Sequence, residues 1–221
     1  LAAAPVWEPP RPEDDVALTD LDRAVDVLVE MKNLSEVAVG LAYSALVLAD
    51  RGLAAEVRHL EDRLDEMKDH LELWVLRSAG GDLDPAELRG LLHLAEAAED
   101  IGDQAQAMVW LVEKDEELHP ILGIALGEAD EVAVRFPVAE GSTVDGSTLK
   151  DLQLNIEPGF TVLAIRRGGG YVYRPRGPVR LAAGDELIAS GPEEGQVLLA
   201  AMCGWELVED EDGEDQLVPV G

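Results

Sequence analysis

The chain has 221 residues, of which 47% are hydrophobic, so it has enough apolar material for packed cores and wholesale disorder is excluded. No apolar run approaches the roughly 20 residues that cross a bilayer, which argues against direct membrane insertion. Asp and Glu number 46 against 17 Lys and Arg, a formal net charge of −29. A surface of this sign repels nucleic acid, because binding to nucleic acid depends on phosphate neutralisation.

The first half of the chain has a helical period. Residues 1–16 contain four prolines and are predicted to form a Pro-rich arm. Within residues 17–118 the clearest apolar stripe alternates spacings of four and three, and it consists of Leu53, Val57, Leu60, Leu64, Met67, Leu71 and Trp74. Asp84 before Pro85 is a helix start signal, with a capping carboxylate ahead of a proline in the first turn. The pattern predicts three long helices in an antiparallel bundle.

The second half changes to a period of two. Residues 119–130 are predicted to be a linker, and residues 131–208 a small α+β domain. Two β-rich runs flank Gly168-Gly169-Gly170 and predict a hairpin, and residues 185–190 predict a further strand. Residues 192–202 are predicted to be helical, with a short strand after them. The remaining residues, 209–221, are predicted to form an acidic tail.

The third helix resembles the signature of PhoU-type helical domains, in which Glu stands four residues before Asp in an E-x-I-G-D core. The matching residues are Glu99, Ile101, Gly102 and Asp103, whereas Asp100 replaces the usual basic residue. A full PhoU protein has two three-helix units, and this chain has one. The resemblance therefore implies a homodimer that rebuilds the six-helix arrangement, and it implies metal binding by this motif.

The second half resembles the TrkA-C (RCK-C) domain of potassium-transport regulators, as in archaeal regulatory proteins. The resemblance rests on Gly146-Ser147-Thr148-Leu149-Lys150-Asp151-Leu152, the strand of residues 161–167, Pro175, Leu181, Gly184-Asp185-Glu186-Leu187 and Ser190-Gly191. It implies homodimerisation, the sensing of a small ligand (cyclic di-AMP in some members) and control of cation channels or antiporters. The predicted fold class is thus multi-domain, with an α-helical PhoU-like bundle followed by an α+β TrkA-C domain.

Carboxylates on the third helix are the candidate metal ligands. Glu99 and Asp103 stand four residues apart and share one face with Glu96. Like charges at this spacing repel, and a bound divalent cation would relieve the repulsion through hard oxygen ligands. The alternative is that a chain with 46 acidic residues places carboxylates four apart by chance.

An arginine cluster is the candidate ligand-binding site. Five arginines occur within fifteen residues that contain no Asp or Glu, and they are Arg166, Arg167, Arg174, Arg176 and Arg180. Arginine favours bidentate recognition of phosphate, so one interpretation is a site for an anionic effector such as a cyclic dinucleotide. The other is a set of salt bridges to the acidic helical domain or to a second subunit.

No Ser-His-Asp or Cys-His pattern indicates catalysis, and the single cysteine, Cys203, has no evident base and no disulfide partner. We therefore expect a non-enzymatic, cytoplasmic regulator that docks on a membrane cation transporter or channel. The alternatives are a PhoU-like metal-binding adaptor in phosphate-transport signalling and a metal-binding protein without a transporter. A reducing and salty cytosol, whose cations screen the acidic surface, fits this composition.

Overall fold

The computed structural model describes residues 20–79, 84–114, 131–209 and 215–220. These residues fall into two compact units, one helical and one built on a sheet. None of the helices in the described ranges is both long enough and apolar enough to cross a membrane.

Three long helices form the helical unit, as the sequence predicts. They are α1 (Asp20–Val47), α2 (Arg51–Ser78) and α3 (Pro85–Glu113). Asp50 caps α2 by accepting the backbone N–H groups of Gly52 and Leu53 at 2.7 and 3.1 Å. Asp84 caps α3 by accepting the N–H of Ala86 at 2.9 Å, which confirms the predicted start signal.

The helices pack pairwise around one core. All seven residues of the predicted α2 stripe are buried. Across the α2–α3 interface Arg58 pairs with Glu113 and Lys68 with Glu99, so residue numbers rise in α2 as they fall in α3. These two helices are therefore antiparallel. Gly102 allows the close approach, because a Cβ atom there would lie 2.6 Å from Cδ1 of Leu64.

A four-stranded antiparallel sheet forms the second unit. Its strands are β1 (Glu131–Pro137), β2 (Thr161–Arg167), β3 (Gly170–Tyr173) and β4 (Glu186–Pro192), in the order β1-β4-β2-β3. Strands β2 and β3 are the predicted hairpin, and Gly168 and Gly169 between them have positive φ. In the central pair, Ile165 of β2 lies opposite Leu187 of β4.

Short helices cover one face of this sheet. Thr148 caps the N-terminus of helix α4 (Leu149–Leu152), because its hydroxyl accepts the N–H of Asp151. A 3₁₀ turn leads into α5 (Gln196–Cys203). The inward-facing side chains of the strands join Phe160, Leu181, Leu199 and Cys203 in one buried apolar cluster. This packing follows the strand alternation seen in the sequence.

The C-terminal part of the chain corrects one prediction. Strand β5 (Trp205–Glu209) pairs antiparallel with β6 (Asp215–Pro219), so the prediction of an acidic tail over residues 209–221 is wrong for β6. The pairing places Leu207 opposite Leu217, and both side chains pack against the core, which outweighs the acidic composition around them. Residues 210–214, the arm at 1–16 and the linker at 119–130 lie outside the described residues.

Candidate ligand-binding site

A cleft of about 460 Å³ lies on the sheet unit between α4, the loop that follows it and the segment after β3. This volume falls in the range of small-molecule sites. The walls combine apolar side chains with a few polar ones. They are Leu149, Lys150, Gln153, Leu154, Asn155, Ile156, Phe160, Thr161, Val162, Arg174, Pro175 and Gly177.

Backbone geometry shapes the cleft. Gln153 ends α4 in the left-handed region with φ of 49°, and Arg174 leaves β3 with φ of 43°. Gly177 lies against α4, where a Cβ atom would come within 3.2 Å of Cβ of Lys150. The backbone of the segment after β3 therefore approaches α4 closely, with Lys150 and Arg174 both on the cleft wall.

The described wall of the cleft has basic side chains, whereas the chain as a whole is strongly acidic. Lys150 and Arg174 line it, and none of the described lining residues is Asp or Glu. The whole chain has a net charge of −29. Since anions would be repelled from most of this surface, a described wall with two cationic and no acidic side chains makes the cleft a place where an anion can bind.

Two of the five predicted arginines form salt bridges with neighbouring carboxylates, Glu186 of β4 and Asp185, which directly precedes that strand. Nη2 of Arg166 donates to Oε1 of Glu186 at 2.7 Å. Arg167 binds Asp185 in bidentate fashion, through Nε to Oδ1 at 2.7 Å and Nη2 to Oδ2 at 2.5 Å. The hydrogen bond to Asp185 raises the pKa of Arg167 above its ordinary value. These contacts are salt bridges, but their partners lie within the same unit, whereas the sequence interpretation placed them in the helical domain or in a second subunit.

The other three arginines differ in position. Arg180 donates to the carbonyl of Gly146, and Arg176 is exposed. Arg174 alone among the five lines the cleft. Sequence reasoning missed the polar wall residues Lys150, Gln153, Asn155 and Thr161. Lys150 is part of the Gly146–Leu152 motif that supported the TrkA-C resemblance. That motif is the one feature of the sequence that could have indicated Lys150 as a site residue.

An apolar surface adjoins the cleft. A second hollow of about 320 Å³ shares Gln153 and Ile156 with it and is also lined by Leu198 and Met202. Ile156 is 70% exposed, and Val197 and Leu198 are exposed as well. The cleft therefore opens beside uncovered apolar side chains, which is the kind of surface that a partner covers.

Acidic side chains also meet between α2 and α3. Glu61 of α2 lies near Asp103 of α3, and Asp65 of α2 lies near Glu99 of α3, so carboxyl groups of like charge face each other across the two helices. Burial, followed by the charges of Asp65, Asp62 and Asp103, raises the pKa of Glu61. Burial and the charge of Glu99 likewise raise the pKa of Asp65. The raised pKa values of Glu61 and Asp65 mean that the folded chain favours the protonated forms of these two carboxyl groups more than the isolated side chains do.

The three predicted metal ligands do not converge. Glu99 accepts a salt bridge from Lys68 at 3.0 Å, whereas Glu96 is solvent-exposed and pairs with His93 at 3.6 Å. Nε2 of Gln106 donates to Oε2 of Glu61 at 2.6 Å. Within the described part of the chain, no three His, Cys, Asp or Glu side chains are arranged to hold a metal ion. The residues present do not fit the metal that the PhoU resemblance implies.

Comparison with known domains matches both halves of the chain. The PhoU domain model matches residues 28–112, which lie within α1 to α3. The TrkA-C domain model matches residues 133–202, which lie within β1 to α5.

A curated relative from Synechocystis sp. (strain ATCC 27184 / PCC 6803 / Kazusa) is named uncharacterized transporter sll0640. It is 39% identical over 69 residues, which are 31% of this chain and 11% of the relative. The chain thus spans about a tenth of the length of that relative.

Two solved structures are similar to parts of the chain. The RCK_C domain dimer of S. agalactiae BusR in complex with c-di-AMP has a TM-score of 0.32 at 20% identity, covering 34% of this chain and 93% of that chain. The GsuK channel bound to NAD has a TM-score of 0.31 at 17% identity, covering 51% of this chain and 21% of that chain. Helices, sheet and domain matches together confirm the resemblance stated from the motifs: residues 28–112 match a PhoU domain, and residues 133–202, which follow them, match a TrkA-C domain.

Proposed function

We propose that this chain is a non-enzymatic regulatory component of a cation transport system, and that a small anionic ligand controls it by binding the cleft of the TrkA-C domain. The observation that carries the proposal is the charge of the cleft. Lys150 and Arg174 line it without a carboxylate among the described wall residues, on a chain of net charge −29. The transport role is supported by the TrkA-C match and by a curated relative named a transporter.

The ligand would combine negative charge with apolar or ring surface. Guanidinium and ammonium groups suit phosphate, and Gln153, Asn155 and Thr161 add neutral hydrogen-bonding groups. Leu149, Ile156, Val162 and Pro175 offer apolar wall against which a flat ring can pack. A cyclic dinucleotide such as cyclic di-AMP has both features.

Binding would act through a second copy of the chain. Ile156 lies on both the cleft wall and the adjoining apolar hollow, so a homodimer that covers Ile156 and Leu198 would border the ligand. A ligand that binds one arrangement of the two copies more tightly shifts the population toward that arrangement. That shift is the proposed signal to the transporter, with potassium as the first cation to examine.

The test is titration calorimetry of the full chain with cyclic di-AMP at high salt, with ATP and inorganic phosphate as comparison ligands. Arg174→Gln and Lys150→Gln should each weaken binding roughly ten- to a hundredfold, since each removes one charged contact worth roughly 1.5–3 kcal/mol. Arg176→Gln is the matched control, because Arg176 is exposed and lies outside the cleft wall. Absence of saturable binding by all three ligands, or equal losses in all three variants, would refute the cleft assignment.

The transport role has a separate test. The tagged chain is used to capture proteins from native membranes in salt that matches the cell, with and without the ligand. Recovery of a cation channel or transporter is expected, and recovery of a phosphate transporter or a histidine kinase instead would favour the PhoU-like adaptor. Recovery of no transport protein under either condition contradicts the proposal.

A further inference from the structure

An apolar groove runs between α1 and α3 on the outside of the helical unit. It has a volume of about 390 Å³ and is lined by Leu28, Val29 and Lys32 of α1 and by Leu94, Ala97 and Ile101 of α3. Leu94 is 59% exposed and Ile101 is 43% exposed. Single exposed apolar residues are found on every protein surface. Here large apolar side chains lie together on both walls of one groove, which is typical of an interaction site.

The groove has the periodicity of a helix-packing seam. Leu94, Ala97 and Ile101 stand three and four residues apart along α3, which is the spacing of residues on one face of a helix. The groove adjoins the stripe that builds the helical unit, whose members are all buried: Leu88, Ala95, Ala98, Gly102, Ala105 and Val109. Ala98 belongs to this stripe and also lines the groove, so α3 presents exposed apolar side chains directly beside its buried stripe, where a further helix can pack.

The walls of the groove have few charged side chains, whereas the surrounding surfaces of α1 and α3 are acidic. Among the described residues that line it, Lys32 alone is charged, and it pairs with Glu36. Over their whole lengths, α1 contains five acidic residues against two basic ones, and α3 contains six against one. Asp100 on α3 and Asp26 on α1 are among those that are exposed. A helix in the groove would thus have its apolar side on the walls and its polar side among carboxylates.

From this combination we infer that the groove binds an amphipathic helix with a Lys- and Arg-rich polar face, supplied by a partner protein. A second copy of the chain would add further acidic side chains around the groove, whereas a basic helix gains both from the apolar walls and from the carboxylates that surround them. Cytoplasmic segments of membrane proteins are enriched in Lys and Arg. The transporter proposed above would offer such a helix, and only this identification of the partner rests on the proposed function.

The test uses the full chain and synthetic helical peptides of three heptads. One peptide has leucine at two positions per heptad and lysine on the polar face, a second has glutamate in place of lysine, and a third is a scrambled isomer of the first without an apolar stripe. Binding is measured by fluorescence anisotropy at low and high salt. The scrambled peptide reports the attraction of any polycation to the acidic surface.

We expect the lysine peptide to bind on the order of tenfold more tightly than its scrambled isomer, and the glutamate peptide not to bind. The double variant Leu94→Gln/Ile101→Gln should reduce binding of the lysine peptide to the level of the scrambled one. The control Leu73→Gln/Leu76→Gln removes two exposed leucines of α2 outside the groove and should change nothing. Sedimentation of both double variants checks whether they remain folded and of unchanged mass.

Three results overturn the inference. One is no preference for the lysine peptide over the scrambled or glutamate peptides, and another is a loss of binding that is equal in both double variants. The third is a free chain that is a dimer and that becomes a monomer in the groove variant only, since the groove would then be covered by a second copy. None of these results bears on the ligand cleft, which the peptides do not probe.

Discussion

The guanidinium of Arg167 binds the carboxylate of Asp185 through two parallel hydrogen bonds, from Nε at 2.7 Å and from Nη2 at 2.5 Å. Asp185 is 2% exposed and also accepts the N–H of Ala182 at 2.8 Å. Its charge is therefore matched inside the sheet unit. From the sequence, Arg167 is a candidate for binding phosphate. In the structure its guanidinium is paired with Asp185, so we assign it a structural role.

Removing the carboxylate should destabilise the sheet unit. Asp185→Ala leaves the Arg167 charge and the Ala182 N–H without this acceptor, so the free energy of unfolding should fall by about 3 kcal/mol. Arg166→Ala removes a more exposed ion pair to Glu186 and should cost about 1 kcal/mol or less. Urea-dependent labelling of Cys203, which lies in the core of this unit, measures both values. Losses of similar size would contradict the structural role of the buried pair.

The thiol of Cys203 should be inert in the native protein. It is fully buried, and burial raises its pKa to about 12, so the reactive thiolate is scarce at neutral pH. A thiol reagent at pH 8 should label the folded chain at least about a hundredfold more slowly than the chain in denaturant. Rapid labelling without denaturant would show that α5 opens readily or that the packing around Cys203 is wrong.

Two glycines of α3 should respond oppositely to alanine. A Cβ atom added at Gly90 would meet no described atom within 4 Å beyond the local helix backbone, so Gly90→Ala should stabilise the helical unit by about 0.5–1 kcal/mol through helix propensity. At Gly102 the added Cβ would lie 2.6 Å from Leu64, which is fully buried. Overpacking of about 1–3 kcal/mol then offsets the propensity gain, and a net loss of about 1 kcal/mol is expected.

The glycine pair is compared by circular dichroism of the helical signal during thermal unfolding. Because both substitutions are on one helix and add the same methyl group, propensity effects cancel in their difference. An increase in melting temperature for Gly102→Ala equal to that for Gly90→Ala would mean that Leu64 moves aside freely.

The carboxyl pairs between α2 and α3 predict a pH effect. The folded-state pKa of Glu61 is raised, so the folded chain holds this proton more tightly than the unfolded chain does. The stabilisation is present below the unfolded pKa and is lost as pH rises through the folded pKa. Glu61→Gln avoids the charged state and should therefore raise the melting temperature of the helical unit at pH 7.

This gain should shrink as pH is lowered, because Glu61 of the natural chain then becomes protonated and resembles the amide. Melting curves between pH 4 and pH 8 test the trend. Asp69→Asn is the control, since Asp69 is an exposed residue of α2 and its substitution lowers the net negative charge equally. A gain that is the same at all pH values, or one that Asp69→Asn reproduces, would contradict the prediction.

Local patterns were sufficient for most of the architecture. The three–four spacing of the α2 stripe, the Asp84–Pro85 start signal and the glycines between β2 and β3 each correspond to an element in the structure. These signals are local, because helix capping and turn formation depend on residues a few positions apart. Strand β6 was missed, since its stability comes from Leu217 packing on a distant core and its neighbours are acidic.

At the candidate ligand-binding site, the contribution of the sequence and that of the tertiary structure can be separated clearly. The sequence by itself determined two domains, their order and a local excess of arginine in an acidic chain. Tertiary structure alone decided which cations line the cleft, because Asp185 and Glu186 at the start of β4 hold Arg167 and Arg166, while α4 brings Lys150 onto the cleft wall with Arg174. The sequence gives the number of basic side chains. Which acidic groups they pair with depends on contacts between residues that are distant along the chain.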